Sequence, residues 1–187
     1  MNPIATLDKP VDNDALYEVV NGKRLELPPM GAFETDIASD LLVYLRQFAK
    51  KQGLGKAVAE MLFLLDGLKD LQRRPNVAFV SYKRWPKGKR VPRTNAWEVV
   101  PSLAVEVVST SNTAEEILAK IREYFQVGVE LVWVVYPTEE QVYVYDSPTQ
   151  LRILKKDQEL DGGNVLPGFN LPIAALFDEE ASEQEKP

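Results

Sequence analysis

The chain has 187 residues with no cysteine and no histidine, and 22 Lys+Arg against 28 Asp+Glu give a formal net charge of −6. Without those two residue types there is no disulfide framework, thiolate nucleophile, Ser–His relay or zinc site of thiolate or imidazole, so any catalysis rests on carboxylates, lysine, hydroxyls and water. A hydrophobic share of 45% and a charged share of 27% are globular values, and they predict one domain over residues 1–177 with an acidic tail at 178–187 too polar to fold.

The first fifteen residues lack the basic start and apolar stretch of a secretory signal, and no run approaches the ~20 apolar residues that span a bilayer, which predicts a cytoplasmic protein with no membrane partner. Residues 16–20 and 23–27 flank Asn21-Gly22, the dipeptide that supplies two positive φ angles to a type I′ hairpin. Residues 33–52 place Ile37, Leu41, Leu45 and Phe48 at helical spacing, with Gly53 as the stop. Residues 56–65 are mostly apolar and read as one strand closed by Asp66-Gly67; 77–80 and 103–108 are short buried-strand runs. Residues 113–127 return to helical spacing, with Glu115 and Glu116 in the first turn and Gly128 past the end. With the strand at 131–136 they form a βαβ-like unit. Further strands are predicted at 141–146 and 151–155, a turn at 161–163 and a short helical turn at 173–177.

Charge is unevenly placed. The tail at 178–187 holds five acids and one base, whereas residues 73–93 hold eight bases and no acid. An acidic chain therefore carries one segment with the opposite electrostatic preference. Within it Lys83, Arg84, Lys87, Lys89 and Arg90 alternate with Tyr82 and Trp85, a pattern suited to phosphates and unpaired bases. A solvated loop paired with the acidic body is the competing reading. Lying between the strands at 77–80 and 103–108, the loop could border their cleft.

Glu106 interrupts the apolar run Leu103-Ala-Val-Glu-Val-Val108. A carboxylate there needs a cationic partner or a shifted pKa, unless the strand is one-sided and Glu106 faces water. Glu60 interrupts the 56–65 run in the same way, or decorates an edge strand. Lys120 follows on the next helix. Three strand residues at ~3.3 Å and seven helix residues at ~1.5 Å put Glu106 and Lys120 each roughly 10 Å from their connecting loop, so a helix folded back on its strand sets them level. An i,i+4 surface pair with Glu116 is the alternative. Pro75 places Asn76 at the entrance of a buried strand, at the sheet's end.

Tyr17-Glu-Val-Val-Asn-Gly22, Leu27-Pro-Pro29, Arg73-Arg-Pro-Asn-Val-Ala-Phe-Val80, Pro101-Ser-Leu-Ala-Val-Glu-Val-Val-Ser109, Lys120-Ile-Arg-Glu-Tyr-Phe125, Gly128-Val129, Val132-Trp-Val-Val135, Asp161-Gly-Gly163 and Leu166-Pro-Gly-Phe169 occur in this order. As a set they resemble the Uma family of restriction-endonuclease-like proteins, part of the PD-(D/E)XK nuclease superfamily. The resemblance implies an α/β restriction-endonuclease-like core, with a mixed central sheet flanked by helices and an N-terminal β-hairpin. It also implies metal-dependent hydrolysis of DNA phosphodiesters. It would assign catalysis to Glu106, Lys120 and the position of Asn76 and binding of Mg²⁺ or Mn²⁺ to Glu106 and Asn76; Glu60, singled out by its place in an apolar run, could add a contact to a second metal or its water shell, and a homodimer would serve the cutting of two strands.

The chain departs from the family pattern twice. Val108 stands where the superfamily usually has Lys, which migration of the lysine to Lys120 would explain. Asn76 stands where relatives have Asp and offers a neutral oxygen in place of a carboxylate, which predicts a weakened metal site. The alternatives are a catalytically inactive nuclease-fold protein that binds nucleic acid, and an oligomeric interaction protein.

Overall fold

The computed structural model describes residues 15–65 and 70–178. The expected turn at Asp66-Gly67, the first fourteen residues and the tail beyond residue 178 lie outside the described residues. Strands β1 (Tyr17–Val20) and β2 (Lys23–Glu26) form the hairpin about Asn21 at φ 51° and Gly22 at φ 72°, the two left-handed residues its turn demands. Helix α1 (Ala32–Gln52) ends on Gly53 in the left-handed conformation, which returns its N–H to the carbonyls of the last turn.

The apolar run at 56–65 is two strands, not one. Strand β3 (Gly55–Ala59) stops at Glu60, whose φ of 50° turns the chain out of the sheet, and β4 (Phe63–Leu64) pairs elsewhere. Period-2 alternation cannot register that break, because the residues on either side of Glu60 stay apolar. Next come β5 (Leu71–Arg73), β6 (Val77–Ser81), β7 (Leu103–Val107), α2 (Ala114–Gln126) and β8 (Leu131–Tyr136). The chain ends through β9 (Gln141–Ser147), β10 (Gln150–Leu154), β11 (Glu159–Asp161), β12 (Asn170–Pro172) and a 3₁₀ turn (Ile173–Leu176).

The central sheet has the order β10-β9-β8-β7-β6-β3. It is mixed, because β7 and β8 run parallel across α2 while the other pairs are antiparallel. Alternation in β7 sends Leu103, Val105 and Val107 into the core under α1, with Ile37, Leu41, Leu45 and Trp133. Ala104 faces the other core with Ile117, Ile121 and Tyr124 of α2. Glu106 has the parity of Ala104, so it points at α2. A second sheet, β2-β1-β5-β4, joins the hairpin to the segment before β6. Its strand β5 is three residues long and was not legible in the sequence. Among the described residues no helix is long and apolar enough to cross a membrane.

Candidate active site

Thr113 caps α2 by accepting from the Glu116 N–H, and the Glu116 carboxylate accepts from the Thr113 N–H. This capping box fixes where the helix starts after β7, and it commits Glu116 away from the surface pair with Lys120 considered above. The inward face of α2 is Ile117, Lys120, Ile121 and Tyr124. Lys120 thus reaches the strand from a buried stripe, and its Nζ lies 3.0 Å from Glu106 Oε2. The Tyr124 hydroxyl donates to Glu106 Oε1 at 2.6 Å. The equal heights inferred from rise per residue correspond to a direct buried ion pair.

Sequence reasoning missed the third member of this cluster. Glu18, 2% exposed on β1, lies 3.2 Å from Lys120 Nζ and 2.6 Å from Arg73 Nη1, and it accepts from the Arg74 N–H. Arg73 also pairs with Glu123 at 2.6 Å. The charges therefore alternate Glu123, Arg73, Glu18, Lys120, Glu106, tying the hairpin and β5 to α2 and β7. The available signal is Glu18 of β1, opposite Leu25, in a strand whose other members are Tyr17, Val19 and Val20, with an Arg-Arg pair downstream. Tyr124 was readable only as a core residue, although a buried phenol one turn after a buried lysine needs a partner.

The two acids sharing Lys120 differ in environment. Burial pushes the Glu106 carboxyl above its ordinary range, and Lys120 only partly offsets it. Burial acts on Glu18 as well, but Lys120, Arg73 and the Arg74 N–H together outweigh it and hold Glu18 low. Burial pushes Lys120 down, yet Glu106 and Glu18 overcome this and keep the ammonium protonated above its usual range. Because the folded-state pKa of Glu18 lies below its unfolded value, the stability it contributes is complete above about 4.5 and is lost as pH falls through the folded value. The stability gap between the protein and Glu18→Gln, read by urea melts, is therefore expected to be widest near neutral pH and to close as pH drops below the ordinary carboxylate range. A gap independent of pH would contradict this assignment.

Asn76 sits at the start of β6, and both ends of its amide are engaged. Its Oδ1 accepts from the Val107 N–H at 2.7 Å, and its Nδ2 donates to Glu60 Oε1 at 3.2 Å. Burial raises the Glu60 carboxyl, an effect the Asn76 bond and the Arg74 charge offset in part. Glu60, Asn76, Glu106 and Lys120 all line one cavity of about 310 Å³, roofed by Leu27-Pro-Pro-Met30 and bordered by Arg74, Ser109, Ser111 and Asn112.

The basic loop lies apart from this cavity. Strand β6 enters at Asn76 and leaves at Ser81, beside Gly55, so the loop departs from the opposite end of the sheet. None of Lys83, Arg84, Lys87, Lys89 and Arg90 lines the cavity that holds Glu106, which corrects the expectation of one shared cleft. Arg84 is held by Glu130 at 2.7 Å and by the Gly128 and Val100 carbonyls. Lys83 borders a small cavity with Ser81, Ser102 and Glu130. Lys89 lies 3.8 Å above the Trp85 ring and lines a separate cavity with it. Lys87 and Arg90 are exposed.

A family model described as "Uma2: Putative restriction endonuclease" matches residues 5–174. This chain belongs to the Uma2 family. No curated protein matches this Uma2 chain. Among solved structures it is similar to a protein described as a "putative nuclease belonging to DUF820 from Anabaena variabilis ATCC 29413". The TM-score is 0.75 at 19% identity, over 86% of this chain and 89% of that one. At that identity the likeness establishes a shared fold, a mixed sheet with flanking helices and an N-terminal antiparallel arm.

Magnesium is commonly held by one or two carboxylates, with waters and phosphate oxygens completing its shell. Glu60 and Glu106 line one cavity and are the donor type such a cation takes, with Glu106 also bonded to Lys120 and Tyr124 and Glu60 to Asn76, so a cation would draw on their remaining lone pairs. No larger acidic cluster suited to a metal occurs among the described residues.

Proposed function

We propose that this Uma2 protein is a metal-dependent phosphodiesterase acting on DNA, with Glu106 and Glu60 as the acids that hold Mg²⁺ or Mn²⁺ and Asn76 as a weak neutral neighbour. The observation that carries the reading is the convergence of Glu60, Asn76, Glu106 and Lys120 on one cavity. When bound, the cation supplies polarisation of the scissile phosphate and a coordinated water of lowered pKa. Lys120, kept protonated by its two carboxylates, presents a fixed positive charge where negative charge develops in the transition state. Tyr124 remains neutral because burial and the nearby Glu106 raise its phenol well above the ordinary range. It therefore donates steadily to Glu106 and fixes that carboxylate's rotamer.

Nicking of supercoiled plasmid DNA with Mn²⁺ tests the assignment. Lys120→Ala and Glu106→Ala are each expected to lower the rate by about 10²-fold or more, the usual loss on removing an electrostatic contact to the transition state. Unchanged nicking in both would remove the phosphodiesterase reading.

The doubly engaged Asn76 amide favours a second reading, a nuclease-fold module that binds nucleic acid with little cleavage. In either reading the loop bases Lys87, Lys89 and Arg90 would add salt-sensitive retention of the duplex, and changing all three to Glu should weaken it and lower its salt dependence. A homodimer would present one such site to each strand, which sedimentation analysis would detect as a doubled mass.

A further inference from the structure

We propose that Arg74 takes the phosphodiester of the bound strand directly, in the absence of any divalent cation; this rests on the nuclease-fold reading above. Four charged side chains line the cavity: Glu60, Glu106, Arg74 and Lys120. Their charges cancel. With Asp at position 76 the same cavity would be net negative and would repel a phosphate until a cation entered. With Asn76 a monoanionic phosphodiester meets a balanced cavity, so the question is which cation is available to it.

Lys120 lies 3.0 Å from one buried carboxylate and 3.2 Å from another, so in the ground state its charge is already balanced and its part is reserved for the extra charge of the transition state. Arg73 is likewise consumed by Glu18 and Glu123. Arg74 makes no direct ion pair within 4 Å among the described residues, although Glu60 attracts it and the Tyr17 ring lies 5.9 Å from its Cζ. Its guanidinium donates from Nη1 to the Glu60 carbonyl and from Nε to the Tyr17 carbonyl, 3.4 Å away. Those two backbone contacts hold the head in place and use two of the five N–H donors a guanidinium has, with Glu60 attracting it but making no direct bond. The donors left over form a planar fork of the kind that matches two phosphate oxygens. Ser109, Ser111 and Asn112 line the same cavity; Ser109 is bonded to Asn112 Oδ1 and to the Ser111 hydroxyl, which leaves the Asn112 amide N–H₂ as the neutral donor for a ligand. The ligand class is a phosphodiester of a nucleic-acid strand, held by a fixed cation and a neutral donor.

Binding of a fluorescein-labelled DNA oligonucleotide, followed by anisotropy in EDTA over a salt series, tests this. The full-length protein is expected to bind in EDTA. Arg74→Gln should weaken binding at least about tenfold and reduce the slope of log K against log salt by about one, the change for a lost phosphate contact. Arg74→Lys keeps the charge and loses the fork, so it should weaken binding while leaving the salt slope intact. If Arg74→Gln fails to give a cooperative melt, Arg74→Lys carries the test alone. Equal affinity and slope in the wild type and every folded variant would overturn the role of Arg74 and leave the phosphodiesterase reading standing. Wild-type binding that appears only after Mn²⁺ is added would overturn the cation-free contact. No binding under either condition would overturn the nuclease-fold reading together with this proposal.

Discussion

Asn76→Asp is expected to make the stability of the protein depend on Mg²⁺. In the wild type the Asn76 amide donates to Glu60 Oε1 at 3.2 Å, doing for that carboxylate what a cation would do between two acids. Replacing the amide by a carboxylate removes the donor and sets two negative charges side by side in a half-buried cavity. Two like charges 4 Å apart at an effective dielectric of 20 repel by about 4 kcal/mol, and partial protonation of Glu60, already raised by burial, relieves some of this. In EDTA the variant should therefore unfold about 2–4 kcal/mol more easily than the wild type. Saturating Mg²⁺ should recover most of that loss, since a ligand at 100 times its Kd contributes about 2.7 kcal/mol. The same variant should gain at least about tenfold in Mg²⁺-dependent nicking, a change worth about 1.4 kcal/mol in the barrier. Thermal melts with and without Mg²⁺ check the first part, and plasmid nicking checks the second. An Asn76→Asp protein as stable as the wild type in EDTA, and indifferent to Mg²⁺, would show that positions 60 and 76 do not share a cation.

Glu106→Ala is expected to destabilise the protein whether or not a cation is present, unlike Asn76→Asp. Glu106 is 4% exposed and answers two buried groups, the Lys120 ammonium at 3.0 Å and the Tyr124 hydroxyl at 2.6 Å. Removing one partner of a buried ion pair costs about 3–5 kcal/mol, because the other charge stays buried. Glu18 still faces Lys120, which keeps the expected loss near the low end, about 3 kcal/mol. Glu106→Gln retains an acceptor for Tyr124 and should cost less, about 1–3 kcal/mol. Urea unfolding of the two variants checks the order; equal stability of Glu106→Ala and the wild type would mean that the pair is not formed.

The pairing of Glu106 with Lys120 was legible because both residues sit on consecutive elements, where rise per residue alone fixes their heights. The hairpin, both helices and the parallel β7–β8 unit were legible for a related reason, each being announced by local turn chemistry or by a periodic run. Glu18 was not, because its burial depends on the hairpin docking through β5 onto α2, a contact between segments more than fifty residues apart. The break of the strand at Glu60 is not legible, because its positive φ leaves no mark in an apolar run. The basic loop lies between two site strands in sequence, which points it toward the cleft. The direction of β6 sends it to the far end instead, since a five-residue strand that begins at the site must finish away from it.

The most direct measurement is anomalous diffraction from crystals of the Asn76→Asp variant soaked in Mn²⁺. A manganese peak is expected in the cavity bounded by Glu60, position 76 and Glu106, and it should disappear from the double variant that also carries Glu106→Gln. An ordered cavity with no peak, or a peak elsewhere that persists in the double variant, would contradict a cation site there.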